Sequence, residues 1–277
     1  MQNFDALANQ TIVFIGGGNM ASAIISGLLR IKAHHQAPFS VGVSDTDADK
    51  LSRFAKQGVL TAHADNAQTL ISQADVVVLA IKPQILADVA PTIAPFLHDK
   101  LVLSILAGVS TKTLAETLNT QNIVRAMPNL PASIGMGATG LFSHLTNTPK
   151  LLAEQIMQSC GITTWVKDEA LLHTVTAVAG SAPAYFFYVL EAMIQEAVSM
   201  GLEPDVAKQL ASQSMIGAGT LAQHADPATL RAQVTSKGGT TAAAISVLQT
   251  QDVGNSFALA MQACAKRSQE LGEHPSI

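Results

Sequence analysis

The stretch Thr11-Ile12-Val13-Phe14-Ile15-Gly16-Gly17-Gly18-Asn19-Met20-Ala21 decides the fold. Five residues suited to a buried strand run into three glycines and then into a helical pattern, Met20 to Arg30. Strand, glycine turn and helix in that order make the G-x-G-x-x-A form of the dinucleotide turn. Gly16 permits the tight turn, Gly18 lets a pyrophosphate approach the backbone, and small Ala21 lets the helix pack close to the sheet. Asn19 and Met20 open the helix, where N–H groups without intrahelical partners favour an anion. A purely structural glycine turn is the competing reading. The position between an apolar strand and a helix favours nucleotide binding.

Outward from this turn, strand and helix patterns alternate. Strands are expected at Ser40–Val43, Val59–Ala62, Asp75–Ile81, Leu101–Leu106 and Asn122–Ala126. Between them lie helical stretches near Asp47–Gln57, Ile85–Pro91 and Thr111–Leu118. Apolar strands spaced by helices predict a parallel sheet covered on both faces. Past about residue 165 the strand signals stop. Helical patterns follow at Glu169–Ala179, Ala182–Met200, Pro204–Gln223, Pro227–Val234, Thr241–Gln249 and Val253–Leu271. Pro183, Pro204 and Pro227 fall near helix starts and Gly201 reads as a helix stop. The expected architecture is therefore α/β. A Rossmann-type domain spans 1–165, and an all-helical domain over 166–277 is apolar enough to pair with a copy of itself.

Composition narrows the classes. The 277 residues are 48% hydrophobic and only 13% charged, which suggests burial between subunits. The net charge is −4 and the 16 Lys and Arg are scattered, so no basic stripe argues for nucleic acid. Residues 1–5 lack the basic start and apolar core of a signal peptide. The apolar helix Ala182–Met200 is interrupted by Glu191, Gln195 and Glu196, which argues against a membrane span. Cys160 and Cys264 stand far apart in no metal spacing, and the eight His form no metal set. Packing cysteines in a reducing compartment make the cytoplasm the expected location.

Several residues carry candidate chemistry. Val43-Ser44-Asp45-Thr46 ends the second strand, where this fold reads the adenosine ribose. An acidic Asp45 leans toward NADH, and Ser44 is a further contact. Asp45 reads equally well as a cap of the next helix. Ala80, Lys82 and Pro83 lie at the carboxyl end of the fourth strand, the ligand-binding edge of open α/β sheets. Ala107 and Gly108 occupy the equivalent place after the next strand, small enough for a nicotinamide ring to lie there. Asn129, after Met127-Pro128, lines a pocket or forms a plain turn. Far along the chain, Ser236-Lys237-Gly238-Gly239-Thr240-Thr241 precedes a helix. The glycines and a helix start make a second anion cradle, and the threonines offer caps or hydroxyls. Tyr185, Phe186, Phe187 and Tyr188 read as core or interface.

With these motifs, Arg125-Ala126-Met127-Pro128-Asn129 and Ala179-Gly180-Ser181-Ala182-Pro183-Ala184-Tyr185 in hand, the chain resembles the pyrroline-5-carboxylate reductases from about Thr11 to Leu271. The resemblance implies reduction of a cyclic imine to L-proline with NADPH or NADH, by a homodimer or a ring of dimers. It implies that the backbone around Gly238, Gly239, Thr240 and Thr241 holds the substrate carboxylate. Val234 would border the ring, and Thr241 would bond the imine nitrogen as candidate proton donor. Asn66 would contact the ribose or its phosphate. The chain departs from the family pattern in four places. Lys237 stands where Pro is usual, Asp45 where Arg or a neutral residue is common, Leu130 where Thr is common, and Ala182 at a Gly position. A β-hydroxyacid dehydrogenase would need a Lys soon after Gly180-Ser181, and none occurs before Lys208. A nucleotide-sensing protein without turnover is the reading from another class.

Overall fold

A computed structural model describes residues 4–35 and 38–273. Its sheet contains β1 (Thr11–Ile15), β2 (Ser40–Asp45), β3 (Leu60–His63), β4 (Val76–Leu79), β5 (Leu101–Ser104), β6 (Ile123–Met127), β7 (Gly137–Phe142) and β8 (Gly161–Trp165). They lie in the spatial order 3-2-1-4-5-6-7-8. The helices that accompany them are α1 (Asn19–His35), α2 (Ala48–Ala55), α3 (Gln68–Ile71), α4 (Leu86–Ile93), α5 (Thr111–Leu118), α6 (Thr148–Gln158) and α7 (Leu171–Val175). A π-helical stretch, Thr176–Gly180, continues α7.

Strand residues alternate between two cores, as a sheet buried on both faces requires. Ile12, Phe14, Val76 and Val78 join the core under α1 and α6, with Ile24, Leu28 and Ile156. Val13, Ile15, Val77 and Leu79 join the core under α4 and α5, with Ile93 and Leu114. The pairs β1–β2, β2–β3, β1–β4, β4–β5 and β5–β6 are parallel. The chain reverses strand order between β1 and β4, which opens a crevice at their carboxyl ends.

The expected parallel sheet holds from β1 to β6, and the sheet continues into β7, which runs antiparallel to β6. The elements β7, α6 and β8 also go beyond the strands and helices expected from the pattern. Gly137 and Gly140 dilute the apolar signal of β7, and a Cβ at Gly140 would strike Val175 of α7. The strand β8 is half exposed and so lacks a continuous apolar run.

Contacts divide the chain into two compact units: Met1–Ser181 with Cys264–Ile277, and Ala182–Ala263. The sequence pattern changes at 165, whereas α7 and its π-helical extension belong to the sheet-bearing unit. The second unit contains α8 (Ala182–Ser199), α9 (Pro204–Ala222), α10 (Pro227–Gln233), α11 (Thr240–Thr250) and the start of α12 (Val253–Glu273). Among its described residues only Ala182 and Ala207 are buried hydrophobics. Phe187 is 55% and Tyr188 74% exposed, so these aromatics are not core within one chain. By length and composition, Leu171–Ser199 is one helical run apolar enough to cross a membrane, despite Glu191 and Glu196.

Candidate active site

The glycine turn sits at the sheet's switch point. Gly16 has φ +97°, and a Cβ there would lie 2.6 Å from the Ala80 carbonyl oxygen. Only glycine fits so close to β4 in that conformation. The Gly16 N–H donates to the Ser44 carbonyl at 2.8 Å, which ties the turn to β2. Gly18 and Asn19 are exposed, and nothing lies within 4 Å of a Cβ built on Gly18. The first intrahelical bond runs from Ser22 N–H to the Gly18 carbonyl. The N–H groups of Asn19, Met20 and Ala21 therefore precede the ladder of α1, and exposed Gly18 and Asn19 leave its start open. Ala21 is 1% exposed, packed as its small size anticipates. Such a turn fits the pyrophosphate of a dinucleotide.

Asp45 is drawn into this turn. Its Oδ2 accepts the Gly17 N–H at 2.7 Å and its Oδ1 accepts the Asp47 N–H at 2.9 Å. Lys50 Nζ stands 3.5 Å from Oδ1. Burial works to raise the Asp45 pKa, but the two N–H donors and the Lys50 charge outweigh it and hold the carboxyl below its ordinary range. The cap of α2 is Asp47, whose side chain accepts from the N–H groups of Asp49 and Lys50. Asp45 is thus not the helix cap.

A cleft of about 150 Å³ brings Gly16, Ser44 and Asp45 together with Ala67, Ile81 and Ile85. Asn66 is exposed on the turn that also carries Ala67. Ser44 is almost wholly buried at its floor. Lys82 is exposed and Pro83 opens a short 3-10 turn beside the cleft. Ala107 and Gly108 lie farther along the same carboxyl edge, Ala107 exposed and Gly108 buried with φ +79°. Asn129 follows β6, but its side chain is spent on the protein itself. Its Oδ1 accepts the Ala138 N–H at 2.9 Å and its Nδ2 donates to the Ala179 carbonyl at 3.1 Å.

In the helical unit, Gly238 has φ +74° and Gly239 is the N-cap of α11. Thr240 and Thr241 are therefore the first two helical residues rather than caps. Extended Gly239 takes the cap position, and its carbonyl accepts the Ala243 N–H at 3.2 Å. The N–H groups of Thr240, Thr241 and Ala242 precede that bond, which makes this helix start anion-receptive. Thr241 is half-buried and Val234 is 66% exposed.

One network escaped sequence reasoning. Glu169 Oε1 accepts the Thr111 N–H at 2.6 Å and Arg125 Nη1 at 2.8 Å, while Oε2 accepts the Thr111 hydroxyl at 2.8 Å. Arg125 is 5% exposed inside β6. A charged residue in an otherwise apolar strand was the available signal. The cysteines are packing residues: Cys160 is buried, which pushes its thiol up to about 11, and Cys264 Sγ lies 3.2 Å from Ser181 Oγ.

A Rossmann-type sheet with an open glycine turn, joined to a helical unit, defines a dinucleotide-binding protein. Comparison with known proteins narrows the class. Residues 169–271 match the family model for pyrroline-5-carboxylate reductase dimerisation, and residues 11–108 match that for NADP oxidoreductase, coenzyme F420-dependent. The chain is 43% identical to the pyrroline-5-carboxylate reductase of Haemophilus influenzae, covering 96% of this chain and 98% of that one. The structure of the Coxiella burnetii pyrroline-5-carboxylate reductase is 37% identical, with TM-score 0.86 over 95% of this chain and 98% of that one. The Plasmodium falciparum pyrroline carboxylate reductase with NADP bound is 26% identical, with TM-score 0.84 over 96% and 99%. The chain belongs to the pyrroline-5-carboxylate reductase family.

Proposed function

We propose that this protein reduces 1-pyrroline-5-carboxylate to L-proline with NADH or NADPH. The full-length match to curated pyrroline-5-carboxylate reductases carries the reading. The open glycine turn at α1 and the Gly-Gly-Thr-Thr start of α11 supply it with two anion-receptive sites.

A bound reduced nicotinamide would supply the hydride for the imine carbon, and the ring nitrogen needs one proton to end as the amine. The chain's residues bind and orient. N–H groups at the start of α1 hold the pyrophosphate, and Asp45, Ser44 and Asn66 border the adenosine ribose. Ala80, Lys82 and Pro83 flank the cofactor along the sheet edge, and the exposed Ala107 with Gly108 gives the nicotinamide ring a floor without side-chain bulk. At α11 the backbone around Gly238, Gly239, Thr240 and Thr241 holds the carboxylate through the N–H groups of Thr240 and Thr241, since the Gly239 N–H is already given to the Ser236 carbonyl. Val234 borders the ring, and the Thr241 hydroxyl bonds the nitrogen and relays its proton. Once that proton is on the nitrogen, the iminium needs little further activation, so orientation supplies most of the rate. Asn129 shapes the pocket through the backbone groups it binds.

The match to the dimerisation model supports an oligomer. A homodimer or ring of dimers in the cytoplasm is the proposed form. A second copy would cover the apolar face of α8, which makes a membrane unnecessary to account for it. Initial rates with pyrroline-5-carboxylate and each cofactor test the function. Imine-dependent cofactor oxidation yielding proline is expected. Nucleotide binding without oxidation would instead favour a sensing protein.

A further inference from the structure

The turn that follows β5 is gripped from two sides by one short segment. From Gly108 the chain enters α5, whose cap Ser110 accepts the Thr113 N–H at 3.0 Å. The next residue, Thr111, gives both its N–H and its hydroxyl to Glu169. Glu169 is held in turn by the buried Arg125 of β6. Four residues on, His173 Nδ1 lies 2.9 Å from the Ser268 hydroxyl of α12. The end of that helix, Leu271-Gly272, packs against Gly108 so closely that a Cβ on either glycine would meet the other's backbone. The segment Glu169–His173 thus holds the start of α5 on one side and the helix that backs Gly108 on the other.

A carboxylate taking two bonds from a single residue and a third from a buried guanidinium leaves that residue little freedom. Thr111 lies only three positions beyond Gly108, so motion at the start of α5 is passed directly to the turn. Resting on the reading that the nicotinamide ring lies at Ala107-Gly108, we propose that Glu169 is a positioning residue. Through Thr111 it fixes the turn that sets the nicotinamide ring for hydride transfer. Glu169 touches neither reactant.

Binding of two probes separates this role from general damage. ADP-ribose, or its 2′-phosphate, occupies the pyrophosphate and adenosine sites without a nicotinamide ring. The reduced dinucleotide occupies all of them. Glu169→Gln keeps the volume and loses the charge that holds Arg125. It is expected to weaken reduced-dinucleotide binding and lower kcat, each about ten-fold. Binding of the ADP-ribose probe should stay within about two-fold. Equal losses for both probes, or no loss for either, would overturn the proposal. Because the comparison of the two probes is a binding measurement, it stands even if the imine proves to be the wrong substrate. Should Glu169→Gln fail to fold, Thr111→Val removes only the hydroxyl bond and must show the same split, in smaller measure. Thr111→Ser, which keeps that bond, must restore wild-type behaviour.

Discussion

Asp45 carries an ionised carboxylate at the carboxyl end of β2, held by the Gly17 and Asp47 N–H groups. A 2′-phosphate at that end of the sheet would meet a like charge, which Lys50 offsets only in part. Asp45→Ser is expected to raise the ratio of kcat/KM for NADPH over NADH roughly ten-fold. An unchanged ratio would show that Asp45 serves the turn alone. At the other helix start, Thr241→Ala removes a hydroxyl at a half-buried position in the first turn of α11. It should lower kcat about 10²-fold. The thermal midpoint should move by less than about 2 °C, because Ala is a good helix former. Full kcat with normal KM in that variant would remove Thr241 from proton delivery.

Helix α5 shows how an element is anchored by chemistry distant in sequence. Ser110 satisfies one orphan N–H at its start, and Glu169, 58 residues away, satisfies another. Burial of Glu169 acts to raise its pKa, but the bonds from Arg125 and Thr111 prevail and hold it below the ordinary value of 4.5. A depressed carboxyl stabilises the fold fully above its unfolded value and loses that contribution as pH falls through its folded value. The wild type should therefore lose thermal stability more steeply than Glu169→Gln as pH drops below 4.5. Coincident acid limbs for the two proteins would mean that the network carries no stability. The Arg125–Glu169 pair was illegible in the sequence, because nothing local marks which carboxylate a strand arginine will meet. The cap Asp47 was within reach, since an acidic residue before a helical pattern is a local signal. Its neighbour Asp45 was ambiguous until the backbone showed which N–H groups each one faces.

The whole molecule joins a sheet with two apolar cores to a helical unit with almost no buried hydrophobic residue of its own. Helices this apolar gain stability only when another surface covers them. Phe186, Phe187, Tyr188 and Met200 are each more than half exposed within one chain. Phe187→Glu places a charge on that surface and is expected to shift the protein to smaller species in analytical ultracentrifugation. An unchanged sedimentation profile would place the subunit contact elsewhere on the helical unit.

The sequence by itself determined the dinucleotide turn, the alternation of strands and helices to Ala126, and the all-helical pattern beyond Ala182. Each depends on local chemistry: glycine at a forced backbone angle, apolar periodicity, and proline or glycine at helix ends. It also carried the family motifs, since these are short runs legible by residue order alone. Only the tertiary structure decided that β7 turns antiparallel, that Asn129 spends its amide on Ala138 and Ala179, and that Glu169 locks Thr111 to Arg125. These are pairings between residues 9 to 58 positions apart. Such partners are chosen by the packing of the sheet, and no local pattern encodes them.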